Sequence, residues 1–180
     1  MTSPPETLTY GQVSLRRWRA ADAGALLAAV TESADHLRPF MPWADGYNAK
    51  RATEYLSGCD AQWESGSAFA YAITVDGAIV GSAGLHNRVE PGALEIGYWV
   101  HKAWTGRGIA TDAAAALTEA ALALPGVDRV EIYHDVANTA SGRVPAKLGF
   151  VRLGERPSRD LGGGSAQAET GTEVAWQHTR

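Results

Sequence analysis

The stretch Trp104-Thr105-Gly106-Arg107-Gly108-Ile109-Ala110-Thr111 decides how the chain reads. It follows the apolar run Leu94 to Val100 and opens an alanine-rich segment that reaches Leu124. A strand, a glycine turn and a helix in that order aim several backbone N–H groups at one point, and the helix dipole adds positive character there. Such a site suits a phosphate or pyrophosphate. Gly106 and Gly108 would let the backbone approach an anion closely. Taken alone, the same pattern also fits a plain turn. A dinucleotide-binding fingerprint fails, because Gly-x-Gly-x-x-Gly would need a glycine where Thr111 stands.

Working outward, Val13 to Arg17 reads as a first strand. Ala23, Leu26, Leu27 and Val30 recur at the spacing of an amphipathic helix, and Ala52, Tyr55, Leu56, Cys59 and Trp63 repeat it, with Asn48 as N-cap. Phe69 to Val75 and Ile79 to Leu85 flank Asp76-Gly77, a short-range hairpin signal. Pro91-Gly92 turns the chain into the strand Leu94 to Val100. Beyond the glycine loop, Ile109, Ala113, Leu117, Ala120 and Leu124 line one helical face until Pro125-Gly126 stops it. Val130 to Tyr133 predicts a strand, Thr139 to Leu148 a helix, Phe150 to Leu153 a strand, and Val174 to Gln177 a last one. Gly162 to Ser165 reads as a flexible loop between those last two strands. The order predicts a mixed α/β (α+β) domain with a hairpin-rich antiparallel half.

Bulk properties narrow the classes. At 180 residues, one domain with a real core is expected over the whole chain. No apolar run approaches membrane-spanning length, and Met1 to Glu6 has neither the basic start nor the apolar core of a signal peptide. The single cysteine, Cys59, excludes an intramolecular disulfide and points to a reducing, cytoplasmic setting. A formal charge of −4 argues against a nucleic-acid binder and is compatible with a cationic amine substrate. The five histidines lack ligand-like spacing, so no metal is expected. The oligomeric state is left open between monomer and homodimer.

Further motifs add a resemblance. About thirty residues after the glycine loop come Asn138-Thr-Ala-Ser141 and then Lys147-Leu-Gly-Phe150. With the strand Leu94-Glu-Ile-Gly-Tyr-Trp-Val100, these resemble the GNAT acetyltransferase superfamily over Leu15 to about Phe150. Its pyrophosphate signature is read here as Thr105-Gly-Arg-Gly108-Ile-Ala110, with Thr105 replacing the usual Arg or Gln. The phrase His36-Leu-Arg-Pro-Phe-Met-Pro-Trp43 looks like the RimJ/RimL branch, which acetylates protein N-termini. The resemblance implies a twisted, mostly antiparallel sheet with flanking helices, whose central strands splay apart beside the glycine loop. It also implies acetyl-CoA as co-substrate and an amine as acceptor.

Acyl transfer from a thioester to an amine needs a deprotonated amine, hydrogen-bond donors for the carbonyl oxygen, and a proton for the leaving thiolate. Alternation places Glu95, Gly97 and Trp99 on one strand face and Leu94, Ile96 and Tyr98 on the other. Glu95 is the candidate base; partial burial is expected to raise its pKa, and a water chain could link it to the amine. The competing reading is a glutamate paired with an arginine at the sheet edge. Ser141 is the candidate acid, because the family tyrosine on that helix is replaced by Pro145 and the RimJ/RimL pattern has a serine at this place. Its other reading is a helix-terminal hydrogen bond, and His134 is the fallback acid or base.

For the co-substrate, the resemblance implies the amides around Trp99 and Val100 for the pantetheine arm, helped by the Asn138 amide. Gly106, Arg107, Gly108, Ile109, Ala110 and Thr111 are assigned to the pyrophosphate. Phe40 and Trp43, flanking Met41, are candidates for the acceptor wall, whereas Trp18 and Trp63 are read as core. The expected reaction is direct attack in a ternary complex on an α-amino group of a protein, peptide or aminoacyl compound. The alternatives are a small-amine acetyltransferase and a domain that binds acyl-CoA without turnover, the latter kept open by Thr105 and Pro145.

Overall fold

The computed structural model describes residues 2–161 and 164–180. Its elements run β1 (Thr7–Tyr10), β2 (Val13–Arg17), α1 (Ala23–Glu32), α2 (Ala34–Leu37), α3 (Ala49–Ser65), β3 (Ala68–Val75), β4 (Ala78–His86) and β5 (Ala93–Val100). Then come α4 (Ile109–Leu122), β6 (Arg129–Asp135), α5 (Thr139–Lys147), β7 (Val151–Pro157) and β8 (Thr172–Thr179). The strands form one eight-stranded sheet in the order β1-β2-β3-β4-β5-β6-β8-β7. Every neighbouring pair is antiparallel except β5 with β6. The mixed α/β sheet with flanking helices expected from the sequence is what the chain forms.

Local chemistry accounts for the main turns. Asp76 and Gly77 both take positive φ, 49° and 81°, as a two-residue type I′ hairpin requires, and they close β3 onto β4 at the pair Val75 and Ala78. Asn48 caps α3 by accepting from the Arg51 amide, and Gly66 ends that helix in the left-handed region. The first strand, β1, was absent from the sequence reading. It is four residues long, almost wholly exposed and at the sheet edge, so it carries no buried alternation to detect. Helix α4 stops at Leu122, two residues before the predicted end, and Leu124 is buried just past it. Strand β7 is shifted and longer than predicted, because its outward residues Val151 and Leu153 are exposed rather than packed. The loop expected at Gly162 to Ser165 falls partly on residues 162 and 163, outside the described residues.

Two apolar layers sandwich the sheet. On one face Leu94, Ile96 and Val100 of β5 pack with Ile109, Ala113 and Leu117 of α4. On the other, Trp18, Leu26, Val30, Leu56 and Cys59 join α1 and α3 to β3, with Trp99 packed at the margin. Trp18 and Trp63 are buried as expected, their indole N–H groups donating to Ser82 Oγ (3.2 Å) and the Ala70 carbonyl (3.3 Å).

The sheet then opens. Strands β5 and β6 pair only from Ala93 with Arg129 to Ile96 with Ile132. Beyond that point β5 stays with β4 to Val100, and β6 stays with β8 to Asp135. Each continues beside its outer neighbour, so the inner edges part. Close packing of β4 on β5 fixes one side of the opening: a Cβ on Gly81 would lie 2.3 Å from the Trp99 carbonyl oxygen. Gly81→Ala is expected to destabilise the fold by about 1–3 kcal/mol in urea denaturation, through overpacking against a backbone that has no room to move.

Candidate active site

The parting of β5 and β6 leads into a cleft of about 700 Å³. Phe40, Trp43, Glu95, Trp99, Asn138 and Ser141, assigned separately from the sequence, all line it. The glycine-loop residues do not line this cleft; they lie at the start of α4, just past the end of β5. Here Gly108 is the N-cap with φ 81°, and the first helical bond runs from the Asp112 amide to the Gly108 carbonyl. The amides of Gly108, Ile109, Ala110 and Thr111 therefore have no partner within the helix. Arg107 rests its guanidinium 4.8 Å from the Trp104 ring centroid, and Gln12 steadies the loop by donating to the Arg107 carbonyl at 2.8 Å.

Strand register corrects one detail of the pantetheine assignment. The His101 amide donates to Val80 on β4, and the Gly92 carbonyl accepts from Asp128 and Arg129 on the β6 side. Alternation then turns the backbone groups of Tyr98 and Val100 toward the opening, and those of Trp99 toward β4. The Trp99 carbonyl lies against Gly81 accordingly. Trp99 contributes its indole instead, 5.9 Å from Trp43, which in turn meets Tyr47 edge-on at 5.9 Å. These rings form an aromatic wall of the cleft.

Glu95 is buried, as expected, but its pKa moves the opposite way. Burial raises it, yet hydrogen bonds from Arg88 and Arg159 outweigh burial and hold the carboxyl below the usual 4.5. Arg88 donates from Nε to Oε2 (3.0 Å) and from Nη2 to Oε1 (2.7 Å), and Arg159 donates to Oε2 at 2.8 Å. The sequence expectation of a raised pKa fails because two guanidiniums replace the water that burial removes. Arg159 also donates to Glu173 and lies 3.7 Å from the Tyr133 ring centroid, so the segment after β7 is tied onto this face. Of about four acceptor positions on a carboxylate, three are filled, and the remaining one is on Oε1.

Ser141 sits in the first turn of α5. Its amide donates to Asn138 Oδ1 (3.2 Å), so Asn138 is the helix cap. The Ser141 hydroxyl donates to Tyr98 Oη at 3.3 Å. Pro145 is buried within α5, where it carries no hydroxyl. His134 uses both ring nitrogens, Nδ1 toward the Asp135 carbonyl (2.8 Å) and Nε2 toward the Trp176 indole (3.0 Å). Cys59 is buried, and burial pushes its thiol up to about 11.

Among the lining residues that the sequence reading did not assign to the site are His86, Arg88, Tyr98 and Arg159. His86 stands opposite Glu95 in the β4–β5 register, with burial, and secondarily Arg88, pushing its imidazole down to about 4. Drawing the hairpin about Glu90-Pro91 would have paired those two residues. No local signal connects Arg159 to Glu95, 64 positions away.

The chain belongs to the acetyltransferase (GNAT) domain family, whose pattern matches residues 12–151. Relatives from the RimJ/RimL-like branch are among those it resembles. It is 28% identical over 148 residues to YdaF of Bacillus subtilis (strain 168), which carries the name ribosomal N-acetyltransferase; the match covers 79% of this chain and 80% of that one. Mycobacterium smegmatis RimJ, solved with a CoA disulfide, superposes with a TM-score of 0.81 at 27% identity, covering 96% of this chain and 85% of that one. The ribosomal L7/L12 α-N-protein acetyltransferase RimL, solved with coenzyme A, has a TM-score of 0.83 at 20% identity over 99% and 98% of the two chains. The chain is thus an acetyltransferase.

The paired state of Glu95 makes a stability prediction. A carboxyl whose folded pKa is lowered stabilises the fold fully above its ordinary value of 4.5, and that contribution disappears as pH falls through the lowered folded value. Glu95→Gln leaves two arginines without their shared anion and should cost about 1–3 kcal/mol at pH 7 in urea denaturation. The deficit should narrow as the pH is brought below 4.5.

Proposed function

We propose that the chain transfers the acetyl group of acetyl-CoA to an α-amino group of a protein N-terminus, peptide or aminoacyl compound, by direct attack in a ternary complex. The observation that carries this reading is the cleft at the β5–β6 opening, where unpaired strand groups suited to pantetheine meet an aromatic and carboxylate-bearing side, with the free amides of the α4 start, suited to pyrophosphate, just past the end of β5. Protein acceptors are favoured by the names of the relatives, ribosomal N-acetyltransferase for YdaF and L7/L12 α-N-protein acetyltransferase for RimL. We read the whole chain as one catalytic domain working in the cytoplasm; among the described residues no helix is long and apolar enough to cross a membrane.

In this reading Tyr98 and Val100 present backbone groups to the pantetheine. Gly106 to Thr111 receive the pyrophosphate, and Phe40, Trp43 and Trp99 hold the acceptor beside Glu95. The amine nitrogen attacks the thioester carbon, the C–S bond breaks with its electron pair left on sulfur, and Ser141 protonates the thiolate. Glu95 takes the amine proton through a water on its remaining Oε1 position. Because the arginines make it a weaker base, much of the acceleration comes from alignment of a neutral amine with the thioester. The burial and raised pKa of Cys59 support direct attack over an acyl-cysteine route.

One observation favours a small amine instead. Between β7 and β8, Ser158, Arg159, Leu161 and Glu169 line the cleft and the Ala168 amide donates to the Pro39 carbonyl at 3.0 Å beside Phe40, which narrows the room for a large acceptor. The acetyltransferase MccE, solved with acetyl-CoA and AMP, shares this fold with a TM-score of 0.83 at 18% identity.

A panel of peptide N-termini, aminoacyl nucleotides, polyamines and aminoglycosides, scored by mass spectrometry, separates the readings. Peptides or aminoacyl compounds should be acetylated far faster than the others; turnover confined to polyamines or aminoglycosides would overturn the α-amine assignment. With the preferred acceptor, Glu95→Gln should lower kcat/KM by about 10²-fold, with recovery at high pH where the amine is already neutral. Gly108→Val, which forces a β-branched side chain into positive φ, should abolish measurable acetyl-CoA binding in calorimetry while the protein stays folded.

A further inference from the structure

Tyr98 is a half-buried phenol at the mouth of the β5–β6 opening that the steps above leave unused. Two hydrogen bonds tie it to a single residue 43 positions away. Its hydroxyl donates to the Ser141 carbonyl at 2.9 Å and accepts from the Ser141 hydroxyl at 3.3 Å. The first bond is well formed; the second is long for two oxygens and is therefore the one more readily exchanged. Tyr98 comes from β5 and Ser141 from the first turn of α5, so the pair bridges the two walls that part at Ile96. Ser141 is held at three points, since its amide is bound to Asn138.

We propose that Tyr98 is a positioning residue for the leaving-group end of the reaction. It fixes the Ser141 hydroxyl in the cleft and gives its proton a resting acceptor, which the thiolate displaces. This rests on the reading of Ser141 as the thiolate's proton donor. As the C–N bond forms, the C–S bond breaks and its electron pair stays on sulfur. The Ser141 hydroxyl turns from Tyr98 Oη to sulfur and passes its proton there, and the proton that Glu95 took from the amine is released to solvent, from which the serine is reprotonated. Tyr98 keeps its own proton throughout on the Ser141 carbonyl. Burial pushes the phenol up to about 12, which keeps it a donor across the working range.

Tyr98→Phe, Ser141→Ala and the double variant test this, each assayed with acetyl-CoA and with an acetyl thioester of a more acidic aromatic thiol. Tyr98→Phe should lower kcat with acetyl-CoA roughly 10- to 100-fold while KM for acetyl-CoA stays within about twofold. The double variant should be no slower than Ser141→Ala, and the more acidic thiol should restore both single variants. Multiplying defects, an unchanged kcat in Tyr98→Phe, or a raised KM as its only defect would overturn the proposal. If Ser141→Ala itself keeps full turnover, the assignment of Ser141 falls first and separately. Should Tyr98→Phe not fold, 3,5-difluorotyrosine at position 98 keeps the ring and hydroxyl but weakens it as an acceptor. A smaller fall in kcat at constant KM supports the proposal, and no change contradicts it.

Discussion

The end of the β5–β6 ladder at Ile96 and Ile132 is the constraint on which the site depends. A parallel pair buried in a sheet would ordinarily continue, because each unpaired backbone group removed from water costs free energy. Here both strands run on, one to Val100 and the other to Asp135, held by their outer neighbours. The inner edges are left with hydrogen-bonding capacity that an extended amide-bearing ligand satisfies as another strand would. Helix α4 begins a few residues later and adds its own unpaired amides.

The face of the cleft around Glu95 is governed by charge. Glu95 and Glu173 are both buried in the sheet, and Arg159 binds both, with Arg88 and Arg156 completing the chain of ion pairs. Tyr133 lies under Arg156 and Arg159 and donates to Glu131, which Arg129 also holds. Such a network contributes modestly to stability, since desolvation offsets most of the attraction, but breaking one member leaves the others exposed to that cost. Its structural consequence is plain. Arg159, just after β7, is anchored at the cleft, so the geometry of this face follows from the same contacts that set the ionisation of Glu95.

Much of this architecture was legible. The Asp76-Gly77 turn, the period-two face of Leu94, Ile96 and Tyr98, and the glycine-to-helix step at Gly108 are local features, and local sequence reports them. The cleft lining at Phe40, Trp43, Glu95, Trp99, Asn138 and Ser141 followed from motifs at family spacing. What escaped was non-local. Arg159 reaches Glu95 through a loop, and the direction of the Glu95 pKa depends on whether that arginine arrives. The bond between Tyr98 and Ser141 joins a strand to a helix across the opening, with no sequence pattern that encodes it. Edge strand β1 was missed because an exposed four-residue segment buries no face.

The claim that the parted strands form the thioester slot is most directly tested by amide hydrogen exchange with and without acetyl-CoA. Binding should slow exchange at Tyr98 and Val100, on the open edge of β5, and at Gly108 to Thr111, at the start of α4. Trp99, whose backbone faces β4, should change little. Protection that appears elsewhere, with Tyr98, Val100 and the α4 start unaffected at saturating acetyl-CoA, would contradict the account.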